Sequence, residues 1–375
     1  MGDRLGGLIS TFAYAIRTNR TFLIEADPSF HGLFMPYHPN ATLSWSDDFT
    51  WAGLTPEAMR NNQNHQNTIN CINPKPREVK CALDHDKPEI KVLRIRLNRA
   101  YLCRWFINPT LKEAQKELKL LAGLDATSDL FEVAGCMMRL AMWPTSKLWS
   151  ILESEFARSS VDISSPIRSL LSLHFRCGDL NFKNKGNKEL LSSSCKHSEN
   201  WNGVDFGDAR SIDSPLDMTQ CANSIRNVPP SSANKQTEND VIYIASDNSG
   251  AIEQMNQSLS SSFNNIYVPS SASCHFDLDK SGSCSSSTLI SWFTLAISDK
   301  IILQSIDESD TYYIKGIYKK DTFTAASAFS RYAGIYSLSA SDGGLYFAKN
   351  CTALNTSTLS YITEGNWVCR SNIFY

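Results

Sequence analysis

The segment whose residue types best suit chemistry is Leu173-His174-Phe175-Arg176-Cys177-Gly178-Asp179. It closes an apolar run, Leu170 to Arg176, that reads as a buried strand. Alternate residues of a strand share a face, so His174 and Arg176 are expected to point the same way. Ligands of open α/β sheets bind beyond the carboxyl ends of the strands. A guanidinium offers a planar fork suited to phosphate oxygens. A buried strand ending in His-x-Arg is therefore a candidate anion site. A plain salt bridge from Arg176 to Asp179, with His174 capping a loop, would use the same residues. Two further segments have similar character. Val241 to Ala245 (VIYIA) is an apolar run that ends in Ser246-Asp247-Asn248. Ser327-Ala328-Phe329-Ser330-Arg331 opens a helical pattern. Hydroxyls and free N–H groups at a helix start bind anions, though ordinary capping uses them too.

These three sites need a scaffold that brings strand ends to one edge. Beyond residue 163 the chain alternates strands with helices, which argues for a parallel α/β sheet. Strands are expected at 170–176, 241–245, 266–268 and 300–304. Helices are expected at 216–227, 250–259, 286–298 and 325–336, and 181–213 reads as a polar insertion. In the first part, Gly2-Asp3-Arg4-Leu5-Gly6-Gly7 reads as a Gly-rich turn. A helix follows over 8–18 and then an apolar strand over 21–26, which is most of a βαβ unit. The strand that should precede Gly2 is missing. Residues 30–88 read as irregular. A strand is expected over 91–105, and helices over 111–121, 129–142 and 147–157. The domains are expected to be 1–162 and 163–375.

Composition narrows the class. The chain has 375 residues, with 36 Lys+Arg against 38 Asp+Glu, a formal charge of −2. That balance argues against a nucleic-acid partner recognised by bulk charge. With 42% hydrophobic and 20% charged residues, the chain is globular rather than disordered. No run of about 18 apolar residues exists to span a membrane. Eleven cysteines and Asn-x-Ser/Thr sequons at Asn19, Asn40, Asn256, Asn350 and Asn355 point to an oxidising lumen. The pairs Cys71/Cys81, Cys274/Cys284 and Cys351/Cys369 have loop-like spacing. Reduced cysteines and chance sequons are the alternative. The lumenal reading needs a targeting segment upstream of Met1.

In order and spacing these motifs resemble the fucosyltransferase superfamily that includes the α1,6-, the protein O- and the bacterial nodulation fucosyltransferases. The shared signature runs His-x-Arg-x-Gly-Asp, then a strand ending in Ser/Thr-Asp, then a Ser-x-Phe-Ser helix start. Here it falls on His174 to Asp179, Ile242 to Asp247, and Ser327 to Ser330. The Gly2 to Gly7 turn is similar to the family's first Gly-rich loop. Gly135-Cys136-x-x-Arg139 with Trp143-Pro144 is similar to the helix closing its first domain. The resemblance implies a GT-B-like α/β fold, two Rossmann-like domains facing a cleft. It implies an inverting, metal-independent transferase that moves fucose from GDP-fucose to a glycan or glycoprotein hydroxyl in the Golgi lumen.

Such a reaction builds negative charge on the departing diphosphate, which something positive must meet most strongly in the transition state. The resemblance gives that role to Arg176. It gives donor binding to His174, Asp179, Asp247, Ser327, Phe329 and Ser330, and to Gly2, Asp3, Arg4, Gly6 and Gly7. It implies no metal and no cofactor beyond the GDP-fucose donor. Asp84-x-Asp86 and Asp277-x-Asp279 have the spacing of a metal motif but lie in Cys-rich loops. The family pattern is broken at Ser291, where several relatives carry an Asp eight residues before the position of Asp299. Asp27, Glu25, Asp3 and Asp179 are open choices for a general base. Other nucleotide sugars, a catalytically silent glycan- or nucleotide-binding module, NAD binding at the glycine turn and zinc at Cys177, Cys195 and His197 are the competing readings. Trp45 and Trp51 suit sugar stacking or loop anchoring, and 183–188 reads as a solvated loop.

Overall fold

A computed structural model of the chain describes residues 2–17, 22, 24, 28–35, 68–71, 92–95, 130–159, 169–175, 215–226, 240–246, 249–269, 283–307, 323–325, 328–337, 344–348 and 351–353. The chain divides into two compact units, residues 1–145 with 364–375, and residues 146–363. The boundary expected at 162/163 lies one helix further along.

In the first unit, α1 (Gly2–Arg17) replaces the expected glycine turn. Leu5, Ile9 and Ala13 recur every fourth residue and are all buried. Burial of that stripe outweighs the cost of about 1 kcal/mol per glycine in a helix. Gly6 and Gly7 are buried within it, and their carbonyls accept bonds from the Ser10 and Thr11 hydroxyls at 2.7 and 2.9 Å. Gly2, Asp3, Arg4, Gly6 and Gly7 therefore belong to a helix and not to an open loop. Phe22 and Ile24 of the expected strand lie outside any strand, and Phe22 stacks on Phe12 with ring centroids 4.9 Å apart. Within the segment read as irregular, α2 (Pro28–Leu33), β1 (Phe34–Met35) and β2 (Thr68–Cys71) are ordered elements. β2 runs parallel to β3 (Val92–Ile95). α3 (Leu130–Ala141) ends where β4 (Trp143–Pro144) pairs antiparallel with β1. Thr145 then donates from its backbone N–H and its hydroxyl to the Leu33 carbonyl, at 3.0 and 3.2 Å.

The second unit holds the sheet. Its strands are β5 (Ser169–Phe175), β6 (Asp240–Ser246), β7 (Asn265–Tyr267), β8 (Lys300–Leu303), β11 (Leu345–Phe347) and β12 (Thr352–Ala353). Their spatial order is β12-β11-β8-β5-β6-β7. All neighbours are parallel except the edge pair β11/β12. Beside the sheet, β9 (Ser305–Asp307) and β10 (Phe323–Ala325) form an antiparallel pair. The helices are α4 (Ser146–Arg158), α5 (Pro215–Arg226), α6 (Ser249–Leu259), α7 (Ser283–Ala296) and α8 (Ala328–Ser337). The mixed α/β class and the parallel sheet match the expectation. Among the described residues, no helix is long and apolar enough to cross a membrane.

Both faces of the sheet are covered, so its central strands are nearly continuous apolar runs. Leu171, Leu173 and Phe175 share one core with Ile242, Ile244 and Ile302. Met218, Cys221, Ala222 and Ile225 of α5 complete it, with Ala251, Met255 and Leu259 of α6. The alternate residues face α7 and α8. The Ser172 hydroxyl bonds to that of Ser298, which also donates to the Thr294 carbonyl at 2.8 Å. Trp292 and Phe293 of α7 pack edge-on to Tyr336 of α8. Asp299 clips the N-terminal edge. Its N–H donates to the Leu170 carbonyl at 3.0 Å, and its carboxylate accepts the Leu170 N–H at 2.8 Å. At Gly334 a Cβ would stand 2.7 Å from the buried Leu345 side chain, so a larger residue would force Leu345 or α8 to shift.

Tyr243 of β6 stacks on Tyr267 of β7, which in turn meets Phe156 of α4. Burial pushes the Tyr243 phenol far above its ordinary value of 10.0, only partly opposed by its hydrogen bond to Ser291. Burial pushes Tyr267 up as well, helped by Glu155 and opposed by Arg158. The folded chain thus keeps protons that the unfolded chain loses above pH 10. Stability is full below that pH and falls as pH rises through it. Urea midpoints at about pH 8 and about pH 11 should diverge, and Tyr243→Phe should flatten the decline. An unchanged slope in the variant would place the alkaline loss elsewhere.

Candidate functional site

The order of the sheet singles out one position. From β5 the chain passes through α5 to β6 and through α6 to β7, moving one way across the sheet. It then returns through α7 and places β8 on the other side of β5. The direction of winding reverses between β5 and β8. Such a reversal leaves a crevice outside the carboxyl ends of the two strands, where ligands of open α/β sheets bind.

His174 stands at that point. It is the penultimate residue of β5, in register with Ala245 of β6 and Leu303 of β8. It lies on the face turned to α8, opposite to that of Leu173 and Phe175. Its ring meets Phe329 at a centroid distance of 5.2 Å, tilted by 30°. Phe329 is the second residue of α8 and is half-buried, and Ser330 beside it is fully buried. Phe329 therefore brings the first turn of α8 against the end of β5. His174 is 7% exposed, so it sits at the floor of the sheet edge rather than on the surface.

Three of the expected site residues, His174, Phe329 and Ser330, thus converge from segments more than a hundred residues apart in the sequence. Arg176, Asp179, Asp247 and Ser327 lie outside the described residues. So do Asp27, Glu25, Asp84, Asp86, Asp277, Asp279, Cys177, Cys195, His197, Trp45, Trp51 and 183–188. Gly2, Asp3, Arg4, Gly6 and Gly7 belong to the other unit. Two buried polar residues at the same strand ends were not selected from the sequence as site residues. Ser246 is the last residue of β6, and Gln304 directly follows β8. The signal for Gln304 was present: a polar residue closes an otherwise apolar strand.

Ser291 lies in α7, and its backbone carbonyl accepts the Tyr243 hydroxyl at 3.5 Å. The Asp299 that anchors the family spacing has a structural task at the N-terminal edge of the sheet, opposite to His174.

The expected Cys351/Cys369 bridge is replaced by Cys221–Cys351, which joins α5 to the turn between β11 and β12. Sequence separation had favoured the nearer partner. The parallel crossover that sets β11 beside β8 instead carries Cys351 over α5. The pairings expected for Cys71, Cys81, Cys274 and Cys284 lie outside the described side chains.

No protein-family model matches the chain, and no curated protein matches it. Among solved structures, the chain is similar to a mutant of Arabidopsis thaliana FUT1 in complex with GDP, at 15% identity and a TM-score of 0.48. That match covers 96% of this chain and 78% of the other. It is also similar to NodZ alpha-1,6-fucosyltransferase soaked with GDP-fucose, at 14% identity and a TM-score of 0.38, covering 90% and 89%. A third match is POFUT1 in complex with GDP, at 12% identity and a TM-score of 0.38, covering 92% and 95%.

Proposed function

We propose that the chain is a nucleotide-sugar glycosyltransferase that moves fucose from GDP-fucose to a hydroxyl of a glycan or glycoprotein, with inversion and without a metal. The observation that carries the reading is the meeting of His174 and Phe329 at the winding reversal of the sheet. All three motifs that resemble the fucosyltransferase signature contribute a residue to this one strand edge: His174, Ser246 and Phe329. A diphosphate suits such an edge, where helix N–H groups and strand-end side chains converge. In this reading His174 and Phe329 form the wall against which the nucleotide rests. Ser330 belongs to the turn of α8 behind that wall. Arg176, Ser327, Asp179 and Asp247 supply the charge and hydrogen bonds. The reading carries with it a GT-B arrangement, with the acceptor served by the first domain. The Cys221–Cys351 bridge supports a secretory-pathway lumen as its setting.

The test is calorimetric binding of GDP, UDP and ADP in EDTA, with His174→Gln as the control. Tight binding of GDP alone, weakened in the variant, is the expected result, and hydrolysis-free transfer from GDP-fucose is then the assay to run. Preference for UDP or ADP would keep a nucleotide-sugar site but discard fucose, with Ser291 as the residue to exchange for Asp. A folded protein that binds none of the three would overturn the transferase reading in favour of a silent module.

A further inference from the structure

Helix α6 carries a feature that the proposed chemistry does not use. Asn256-Gln257-Ser258 is an N-x-Ser sequon in its last two turns. The buried face of α6 is set by Ala251, Met255 and Leu259, which repeat every fourth residue against the core shared with α5. Asn256 falls on the flank of that face and Gln257 opposite to it, and both are exposed. The helix does not depend on the Asn256 side chain. Its backbone carbonyl accepts the Ser260 N–H at 3.0 Å, and the Ser258 hydroxyl donates locally to the Gln254 carbonyl at 2.8 Å.

Topology places this site well away from the candidate nucleotide edge. α6 starts where β6 ends and returns to the start of β7, which is parallel to β6. The C-terminal turns of α6 therefore lie at the N-terminal edge of the sheet. His174 lies at the other edge. A bulky group on Asn256 would stand clear of both the buried core and the crevice. The Cys221–Cys351 bridge provides the second, independent observation. A disulfide that closes 130 residues belongs to an oxidising compartment, which is also where sequons are modified.

We infer that Asn256 is an N-glycosylation site. The amide Nδ2 of Asn256 attacks the anomeric carbon of a lipid-linked oligosaccharyl diphosphate in the lumen. The bond from that carbon to the diphosphate oxygen breaks, and its electron pair leaves with the lipid diphosphate. The amide gives up one proton to the transferring enzyme, and an N-glycosyl amide remains. Modification precedes folding, and the exposed helix face then accommodates the product.

The test uses the full chain recovered from a eukaryotic secretory pathway. Glycans are released with a peptide-N-glycosidase, which leaves Asp where a modified Asn stood, and the α6 peptide is sequenced by mass spectrometry. The state of Cys221 and Cys351 is read in the same sample. The expected result is an intact bridge, conversion of Asn256 in most molecules, and loss of that conversion in Ser258→Ala with an unchanged melting temperature. An intact bridge with unconverted Asn256 overturns the site. Free thiols with unconverted Asn256 overturn the lumenal premise and the site with it. Neither outcome bears on nucleotide binding, so this inference and the transferase reading stand or fall separately.

Discussion

Removing the Cys221–Cys351 bridge should destabilise the second unit by up to about 5 kcal/mol. The bridge closes a segment of 130 residues, and the loss of chain entropy in the unfolded state grows with the logarithm of that length. The local structure makes the bridge matter. β12 is a two-residue exposed edge strand, and β11 is held to β8 by a ladder of three residues. Cys221 is buried on α5, so the bridge pins this short edge to the helix that covers the sheet. A Cys221→Ala/Cys351→Ala variant should show a lower urea midpoint. Its first amides to exchange should be those of Tyr346 and Phe347. The backbone at Cys351 has φ of 48°, a left-handed conformation that costs a side chain about 1 kcal/mol or more. Cys351→Gly should therefore be the less damaging partner for Cys221→Ala. A double alanine variant within about 1 kcal/mol of the parent would show that the edge is held by packing alone.

The same region marks where the sequence stops being informative. β5, β6 and β8 were legible because they are apolar runs bounded by polar segments. α4 and α6 were legible because Leu148, Leu152 and Phe156, and Ala251, Met255 and Leu259, repeat every fourth residue. β11 and β12 have three and two residues, too few to show any period. The partner of Cys351 depends on where β11 lands in the sheet, which no local pattern specifies. The glycines at 6 and 7 misled for the opposite reason. Their local preference is for a turn, but the stripe of Leu5, Ile9 and Ala13 gains more by burial on a helix.

For the site, the division is similar. Strand alternation is a local property, and it separates His174 from Leu173 and Phe175; that Phe329 meets it on that face depends on the placement of α8. The Ser-x-Phe-Ser pattern located the start of α8, since its second and third residues are Phe329 and Ser330. The winding reversal was not legible. It requires β8 to return beside β5 instead of continuing past β7, a long-range choice that no local pattern specifies. Gln304 becomes interesting only once β8 is known to flank β5.

Arg176→Ala is the variant with the largest expected effect on turnover. In the proposed reaction the sugar–diphosphate bond breaks while negative charge gathers on the departing diphosphate. In the sequence Arg176 directly follows Phe175, the last residue of β5. A guanidinium there gains most when the charge is fully developed, which is the condition for accelerating the chemical step. Loss of one preorganised donor of this kind costs about 10²- to 10³-fold in kcat, or roughly 3–4 kcal/mol. The expected signature is a fall in kcat with little change in KM for the donor. Arg176→Lys should restore only part of the rate, because a point charge cannot reproduce the two-pronged fork. A KM rise with kcat intact would mean that Arg176 binds the ground state and the transition state equally. A full rate in Arg176→Ala would remove it from the mechanism. The charge of the leaving diphosphate would then have to be met by the first turn of α8, where Phe329 and Ser330 would be the residues to vary.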